Sequence, residues 1–411
     1  MKTLHVTTTD YGGAYRATQR INYAMQQKGI DSCVLVRSKF NDETDVIEAF
    51  HSPIAKLISK IKNVGNLFFS KGEIISDLFG TDITMSSSVK EADIIFLHWV
   101  NSFISYGVVK KLLKLNKPII WVMHDMWVFT GGCHIDKYCG KYREECGKCP
   151  IIRSSKDNDI SYYNVIQKKR IFKESNIVFV GPSRWMVQSA QESSILKHQK
   201  VIRIPNPINT DIFRPLEKKT IRKKYNIPED KKVIMFGALK ATENSNKGIK
   251  YLISALEILN DSQYIAIVFG NENQNSKIER YIETKYVGIV KDDDILSEIY
   301  NIADVFVAPS EQDNYANTVL EALSCGIPVT AFNIGGMPDM IENKQNGYLA
   351  EFRNSKDLLE GIRYCCDNTD LLGNRARERV LENNSYSLIG NEYVELCLKL
   401  LEKDRDGKQG N

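Results

Sequence analysis

The chain has 411 residues, of which 43% are hydrophobic and 26% charged, with 55 basic and 51 acidic side chains giving a formal net charge of +4. That length exceeds what one ordinary core fills, roughly 250–300 residues, so two domains are expected. The near balance of charge excludes a bulk electrostatic footprint for nucleic acid, and no run of about 18 uninterrupted apolar residues offers a membrane-spanning helix.

The opening MKTLHVTTTDYGGAYR puts threonines, an aspartate and two glycines where a secretory signal needs an apolar run, so a cytosolic chain is expected. Short β-branched runs then alternate with longer amphipathic ones. TLHVTTT is followed by a helical AYRATQRINYAMQQKG and by SCVLVRS; later come ADIIFLHW, KPIIWVMHD and NIVFVGPS. This rhythm predicts a parallel sheet covered by helices. Between the first β-α-β pattern and ADIIFLHW, residues 53–70 place Ile54, Leu57, Ile58, Ile61, Val64 and Phe68 at helical spacing, with Lys56, Lys60 and Lys62 on other faces. Such a helix either packs on its own domain or lies in an anionic membrane interface.

A second series begins after IRIPNPINTDIFRP, where Pro205, Pro207 and Pro215 punctuate the chain with Asn206 and Asn209. KKVIMFGAL, QYIAIVFG, KYVGIV, ADVFVAPS and IPVTAF follow, each leading into a helical pattern. Two Rossmann-like halves are therefore predicted, over 1–207 and 208–390. Residues 391–411 form a last helix, one that could cross back to the first half, and a solvated tail.

In doubly wound sheets ligands bind beyond the carboxyl ends of the strands. Three loops there stand out. TTTDYGGAYRA lets the backbone approach a ligand at its glycines and opens a helix N-terminus suited to phosphate, although it lacks the full G-x-G-x-x-G spacing of a dinucleotide site. In FGALKATENSNKGIKYLISAL, Lys247 and Gly248 precede a helix, where the lysine could neutralise a diphosphate. The third, APSEQDNYANTVLEALSCGIPVTAFNIGGMPDMI, joins a polar loop with two carboxylates to a helix opened by Asn317 and Thr318. The first turn of that helix aims amides at the same place, and Glu321 sits one turn in, placed to accept hydroxyls or simply to complement the helix dipole. Asp292, Asp293 and Asp294 are read as a helix start.

The stretch from His124 to Pro150, HDMWVFTGGCHIDKYCGKYREECGKCP, concentrates Cys133, Cys139, Cys146 and Cys149 in an insertion over 131–150. Four sulfurs ending in Cys-x2-Cys suit a structural zinc, with His134 able to replace one of them. Reduced packed thiols and disulfides are the other two readings. None of them makes a metal catalytic. Cys33, Cys325, Cys365, Cys366 and Cys397 are expected to be buried small hydrophobes.

Through GGAYRATQRINYAMQQKGI, FLHWV, WVMHDMWVFTGGC, PSRWMVQSA, IPNPINTDIFRP, NKG, GIVKDDDILSEIYNIADVFVAPS, NTVLEALSCGIPVTAFNIGGMPDMI and NGYLA, the chain resembles the retaining glycosyltransferases of family 4. The resemblance is nearest to members that build bacterial surface polysaccharides. It implies an α/β chain of GT-B architecture, two Rossmann-like domains facing across a cleft. The family's Glu-x7-Glu motif reads Asp-x7-Glu here, so the resemblance assigns Asp313 to the transferred sugar and Glu321 to the ribose, while Glu311 falls two residues early. It gives the diphosphate to Lys247 and the amides of Ala316, Asn317 and Thr318, with Gly13 approaching it from the first domain. Val287 to Val290 would read the base, and His124 would face the donor sugar.

Where many members have an arginine, this chain has Ala238, with Lys240 a substitute. His98 is read either as a polar group of the site or as a packing partner of its neighbouring tryptophan, and His5 as an interior strand residue. The resemblance further implies a nucleoside diphosphate sugar donor, UDP or GDP, a lipid-linked or oligosaccharide acceptor, work at the cytoplasmic face of the membrane and no cofactor for catalysis. The competing readings are a relative with other chemistry, such as a sugar phosphorylase or nucleotide-sugar epimerase, and a non-catalytic binding protein.

Overall fold

The computed structural model describes residues 1–49, 61, 78–173, 175–237, 245–270 and 277–409. The helix expected over 53–70 therefore lies outside the described residues, apart from Ile61, and so do Ala238 and Lys240. The chain divides into two compact units: Met1–Pro207 together with Ile389–Asn411, and Ile208–Leu388.

The first unit carries seven parallel strands: β1 (Lys2–Thr9), β2 (Asp31–Ser38), β3 (Val46–Glu48), β4 (Ile94–Leu97), β5 (Ile119–Val122), β6 (Val178–Gly181) and β7 (Lys200–Arg203), ordered β3-β2-β1-β4-β5-β6-β7. The second carries six: β8 (Lys232–Gly237), β9 (Tyr264–Phe269), β10 (Glu283–Gly288), β11 (Val305–Ala308), β12 (Val329–Phe332) and β13 (Gly347–Ala350), ordered β10-β9-β8-β11-β12-β13. Both orders run outward from a first strand, reverse, and continue on its other side. Each sheet thus has a topological switch point, between β1 and β4 and between β8 and β11, where the loops part and leave a crevice.

Burial on both faces explains the composition of the central strands. β4, β5 and β11 are buried at every residue and read IIFL, IIWV and VFVA. The Tyr386–Gln409 helix brings Ile389, Tyr393, Leu396 and Cys397 against Ile21, Met25, Phe96 and Val180. Its Gly390 lies so near the Gly13–Gln26 helix that a Cβ would stand 2.4 Å from the Ala24 carbonyl oxygen. Among the described residues no helix is long and apolar enough to cross a membrane.

One charged side chain lies wholly inside the first unit. Lys168, from the Ile160–Phe172 helix, is 0% exposed; its ammonium donates to the carbonyls of Trp127 and Thr130 and lies 3.7 Å from the Trp127 ring centre. A buried charge is tolerated only when its donors are used. This one ties down the loop that follows β5 and carries His124 and Asp125. Lys168→Met keeps the volume but leaves both carbonyls without that donor. It is expected to lower stability in urea unfolding by about 2–4 kcal/mol; an unchanged midpoint would show that the lysine is dispensable.

Candidate active site

At the switch point of the second unit, the ends of β8 and β11 open a pocket whose lining includes Gly237, Lys247, Ser310, Asp313, Ala316 and Thr318. Lys247 ends a short 3-10 turn, Ser245–Lys247, and Gly248 turns left-handed at φ 70° before the Ile249–Leu259 helix. The Lys247 ammonium lies 2.8 Å from Asp313 Oδ2, with side chains only 26% and 15% exposed. Ser310 Oγ stands 3.5 Å from the same oxygen. The Asn317–Ser324 helix begins at Ala316 with no side chain capping it, so its first-turn amides face a place where an anion can sit.

Two glycines make this approach sterically permissible. A Cβ on Gly248 would fall 1.8 Å from the Pro309 carbonyl oxygen, and one on Gly335, at φ 52°, would fall 2.0 Å from that of Asp313. Either substitution must push apart the loops that hold Lys247 and Asp313 together. Gly248→Ala and Gly335→Ala are each expected to destabilise the second unit by about 2–4 kcal/mol in urea unfolding. Equal stability in both variants would mean that the loops can separate freely.

Other residues singled out in the sequence lie near this pocket in the chain but do not line it. Glu321 is 1% exposed and accepts the Tyr300 hydroxyl at 2.8 Å. Val287 and Val290 are half-buried against the core at the end of β10, an edge strand whose backbone turns at Gly288, φ 79°. Glu311 is held by Lys250 at 2.6 Å and by Arg353; burial raises its pKa, yet these two cations bring it below the usual glutamate value. Asp292 caps the Asp293–Asn301 helix by accepting from the Ile295 amide.

In the first unit, the TTTDYGG loop is pinned by buried Asp10, which accepts from the amides of Phe40 and Asn41. Gly12 takes φ 89°, and a Cβ added at Gly12 or Gly13 would meet nothing within 4 Å, so the backbone there is open to a ligand. His124 follows β5, and desolvation lowers its pKa to about 4, with the Asp125 charge opposing. Its ring belongs to a hydrogen-bonded line with His98 and His5, at 2.9 Å per step.

Beside it, Asp125 pairs with His134 at 2.6 Å and accepts from the Trp99 indole at 3.0 Å and the Trp127 amide at 2.8 Å. Burial would raise the Asp125 carboxyl, but His134 and the Trp127 amide hold it below the usual aspartate value. The sequence offered no periodic signal for this pair, which joins residues of one irregular loop.

His134 is thus committed to Asp125 and does not substitute for a cysteine. Cys133 and Cys149 pack with Ile152, and Cys146 packs on the main core of the unit. None of the nine cysteines is paired in a disulfide. The four thiols of the insertion are close enough to affect one another's ionisation, but burial dominates and pushes Cys133 to about 12 and Cys146 to about 11. Among the described residues no group of three or more His, Cys, Asp or Glu side chains is arranged to hold a metal. Cys133 and Cys149 are buried, and Cys139 and Cys146 are half-buried.

The chain thus carries two doubly wound sheets, with a polar pocket at the switch point of the second. Residues 217–385, the second unit but for its ends, match the family model described as Glycosyl transferases group 1. The chain is 24% identical over 263 residues to N-acetyl-alpha-D-glucosaminyl L-malate synthase of Bacillus anthracis, covering 61% of this chain and 66% of that one. It is 28% identical over 211 residues to N,N'-diacetylbacillosaminyl-diphospho-undecaprenol alpha-1,3-N-acetylgalactosaminyltransferase of Campylobacter jejuni, covering 49% and 55%. The crystal structure of Anabaena Alr3699/HepE in complex with UDP-glucose has the same fold, with a TM-score of 0.67 and 14% identity over 97% of this chain and 100% of that one.

Proposed function

We propose that the chain is a retaining, metal-independent glycosyltransferase that moves a hexose-type sugar from a UDP or GDP sugar to a growing bacterial surface polysaccharide or lipid-linked oligosaccharide. The observation that carries this reading is the pocket where Lys247 and an uncapped helix N-terminus converge. UDP is the first nucleotide to test, since the Anabaena protein was solved with UDP-glucose. The name of the Campylobacter relative, with its diphospho-undecaprenol acceptor, supports a lipid-linked acceptor.

When the donor binds, Lys247 exchanges the Asp313 carboxylate for the diphosphate, together with the amides of Ala316, Asn317 and Thr318. Asp313 is then released to accept a hydroxyl of the transferred sugar. Val287 to Val290 offer backbone groups to the base, Glu321 its carboxylate to the ribose, Gly13 its amide to the diphosphate, and His124 its ring to the sugar. As the bond from the anomeric carbon to the β-phosphate oxygen breaks, negative charge grows on that phosphate, and the lysine and amides stabilise it as it develops. The acceptor hydroxyl attacks from the same face and its proton passes to the departing phosphate, so the configuration is retained. Those positive groups fill the place of a cation.

A screen of nucleotide sugars in EDTA tests the reading. It should show release of UDP or GDP, and proton NMR of the product should show the anomeric configuration of the donor. An inverted product, or release that requires a divalent ion, would overturn it.

A further inference from the structure

Asp313 sits between two donors of unequal grip. Lys247 Nζ lies 2.8 Å from its Oδ2, and Ser310 Oγ lies 3.5 Å from the same oxygen. Among the described residues these two are the hydrogen-bond partners of the carboxylate, and Ser310 Oγ makes no other such bond. A hydroxyl bound to a carboxylate normally closes to about 2.5–2.7 Å. The serine contact is therefore loose while the lysine occupies the oxygen. Yet Ser310 is only 4% exposed, so its hydroxyl is largely cut off from bulk water, and buried hydroxyls are as a rule fully bonded.

The backbone leaves any adjustment to the side chains. Ser310 and Asp313 share the loop between β11 and the Asn317–Ser324 helix, and that loop is tied to its neighbours on both sides. The Glu311 amide donates to the Asn246 carbonyl at 2.8 Å, Asn246 Nδ2 donates to the Gln312 carbonyl at 2.7 Å, and the Gly336 amide donates to the Asp313 carbonyl at 3.2 Å. With the main chain held in this way, the serine contact closes by rotation about the Cα–Cβ bonds, between staggered positions of two short side chains. All of these groups belong to the second unit.

An anion on Lys247 changes the balance. Once the ammonium turns to a diphosphate, the Asp313 carboxylate loses its cation while its side chain remains only 15% exposed. Breaking one side of such a pair is costly unless another donor takes the vacated place. Ser310 is the donor already beside it. We propose that Ser310 is a positioning residue that takes over Asp313 when an anion draws Lys247 away, holding the carboxylate where it accepts a hydroxyl of the transferred sugar. The sugar clause rests on the glycosyltransferase reading; the hand-over needs only an anion on the lysine. Sugar recognition is thereby coupled to occupancy of the phosphate subsite.

Titration calorimetry of the full chain with inorganic diphosphate in EDTA reads the hand-over without a nucleotide. The wild-type chain should bind it, and Ser310→Ala should bind it about tenfold more weakly, the usual worth of one hydrogen bond to a charged group. In an Asp313→Asn background the same substitution should change affinity by less than about twofold, because a neutral amide needs no replacement for the lysine. Binding by that double variant also shows that the loop still folds without the hydroxyl. Equal affinity in Ser310→Ala and the wild-type chain, a loss that persists in the Asp313→Asn background, or no binding of diphosphate by the wild-type chain would each overturn the proposal. The expected pattern with diphosphate, joined to no binding of UDP or GDP by the wild-type chain, would support the role of Ser310 and count against the glycosyltransferase reading alone.

Discussion

Lys247→Ala is expected to lower kcat/KM for the nucleotide sugar by about 10²–10³-fold, the usual cost of removing one group aimed at charge that develops in a transition state. Lys247 is the described cation that lines the switch-point pocket, and its ammonium is already aimed by Asp313 at 2.8 Å. Asp313→Asn separates its two roles. Without the carboxylate, Lys247 loses the partner that competes with phosphate, so nucleotide affinity should hold or rise while turnover of the sugar donor falls. Parallel losses of affinity and turnover in both variants would show that the pair only supports the fold.

Acid should unfold the first unit well before the carboxylates titrate. His5 and His124 have folded values of about 3 and 4, and His98 is also lowered, against an ordinary value of 6.5. Their unfolded forms bind protons that the folded forms refuse. Stability is therefore complete above about pH 6.5 and is lost as pH falls toward the folded values, by up to about 1.4 kcal/mol per pH unit for each histidine. The four tryptophans, Trp99, Trp121, Trp127 and Trp185, all belong to this unit, so their fluorescence follows it alone. The midpoint should drop by about 10 °C between pH 7.5 and 5. His5→Asn should reduce that drop, and a midpoint independent of pH over this range would contradict the burial of the three rings.

Most of the sheet framework is legible in the sequence because strands buried on both faces are continuous apolar runs, as in Ile94–Leu97 and Val305–Ala308. β3, β7 and β13 escape notice for the opposite reason. All three are short edge strands, and β7 carries exposed Lys200 and Arg203 at its ends. The second boundary falls at Leu388, two residues before the expected 390, because the final helix begins in one unit and its apolar face, from Ile389, belongs to the other.

The candidate site is legible in part. Lys247 precedes a helix and Asp313 lies in a polar loop after a strand, which suffices to nominate each of them. Nothing local reveals that Gly248 and Gly335 exist to admit the carbonyls of Pro309 and Asp313, because those contacts join separate loops. The cysteine spacing marks an irregular insertion, but it does not reveal that Cys133 and Cys149 pack with Ile152 while Cys146 packs on the main core. His5 reads as an ordinary interior strand residue, since only the pairing of β1 with β4 brings it beside His98.

Titration calorimetry with UDP and GDP in EDTA tests the central claim most directly. The account predicts saturable, metal-independent binding of one of them to the wild-type chain, weakened at least tenfold in Lys247→Ala and retained in Asp313→Asn. Absence of binding by both nucleotides, or equal affinity in Lys247→Ala, would contradict it.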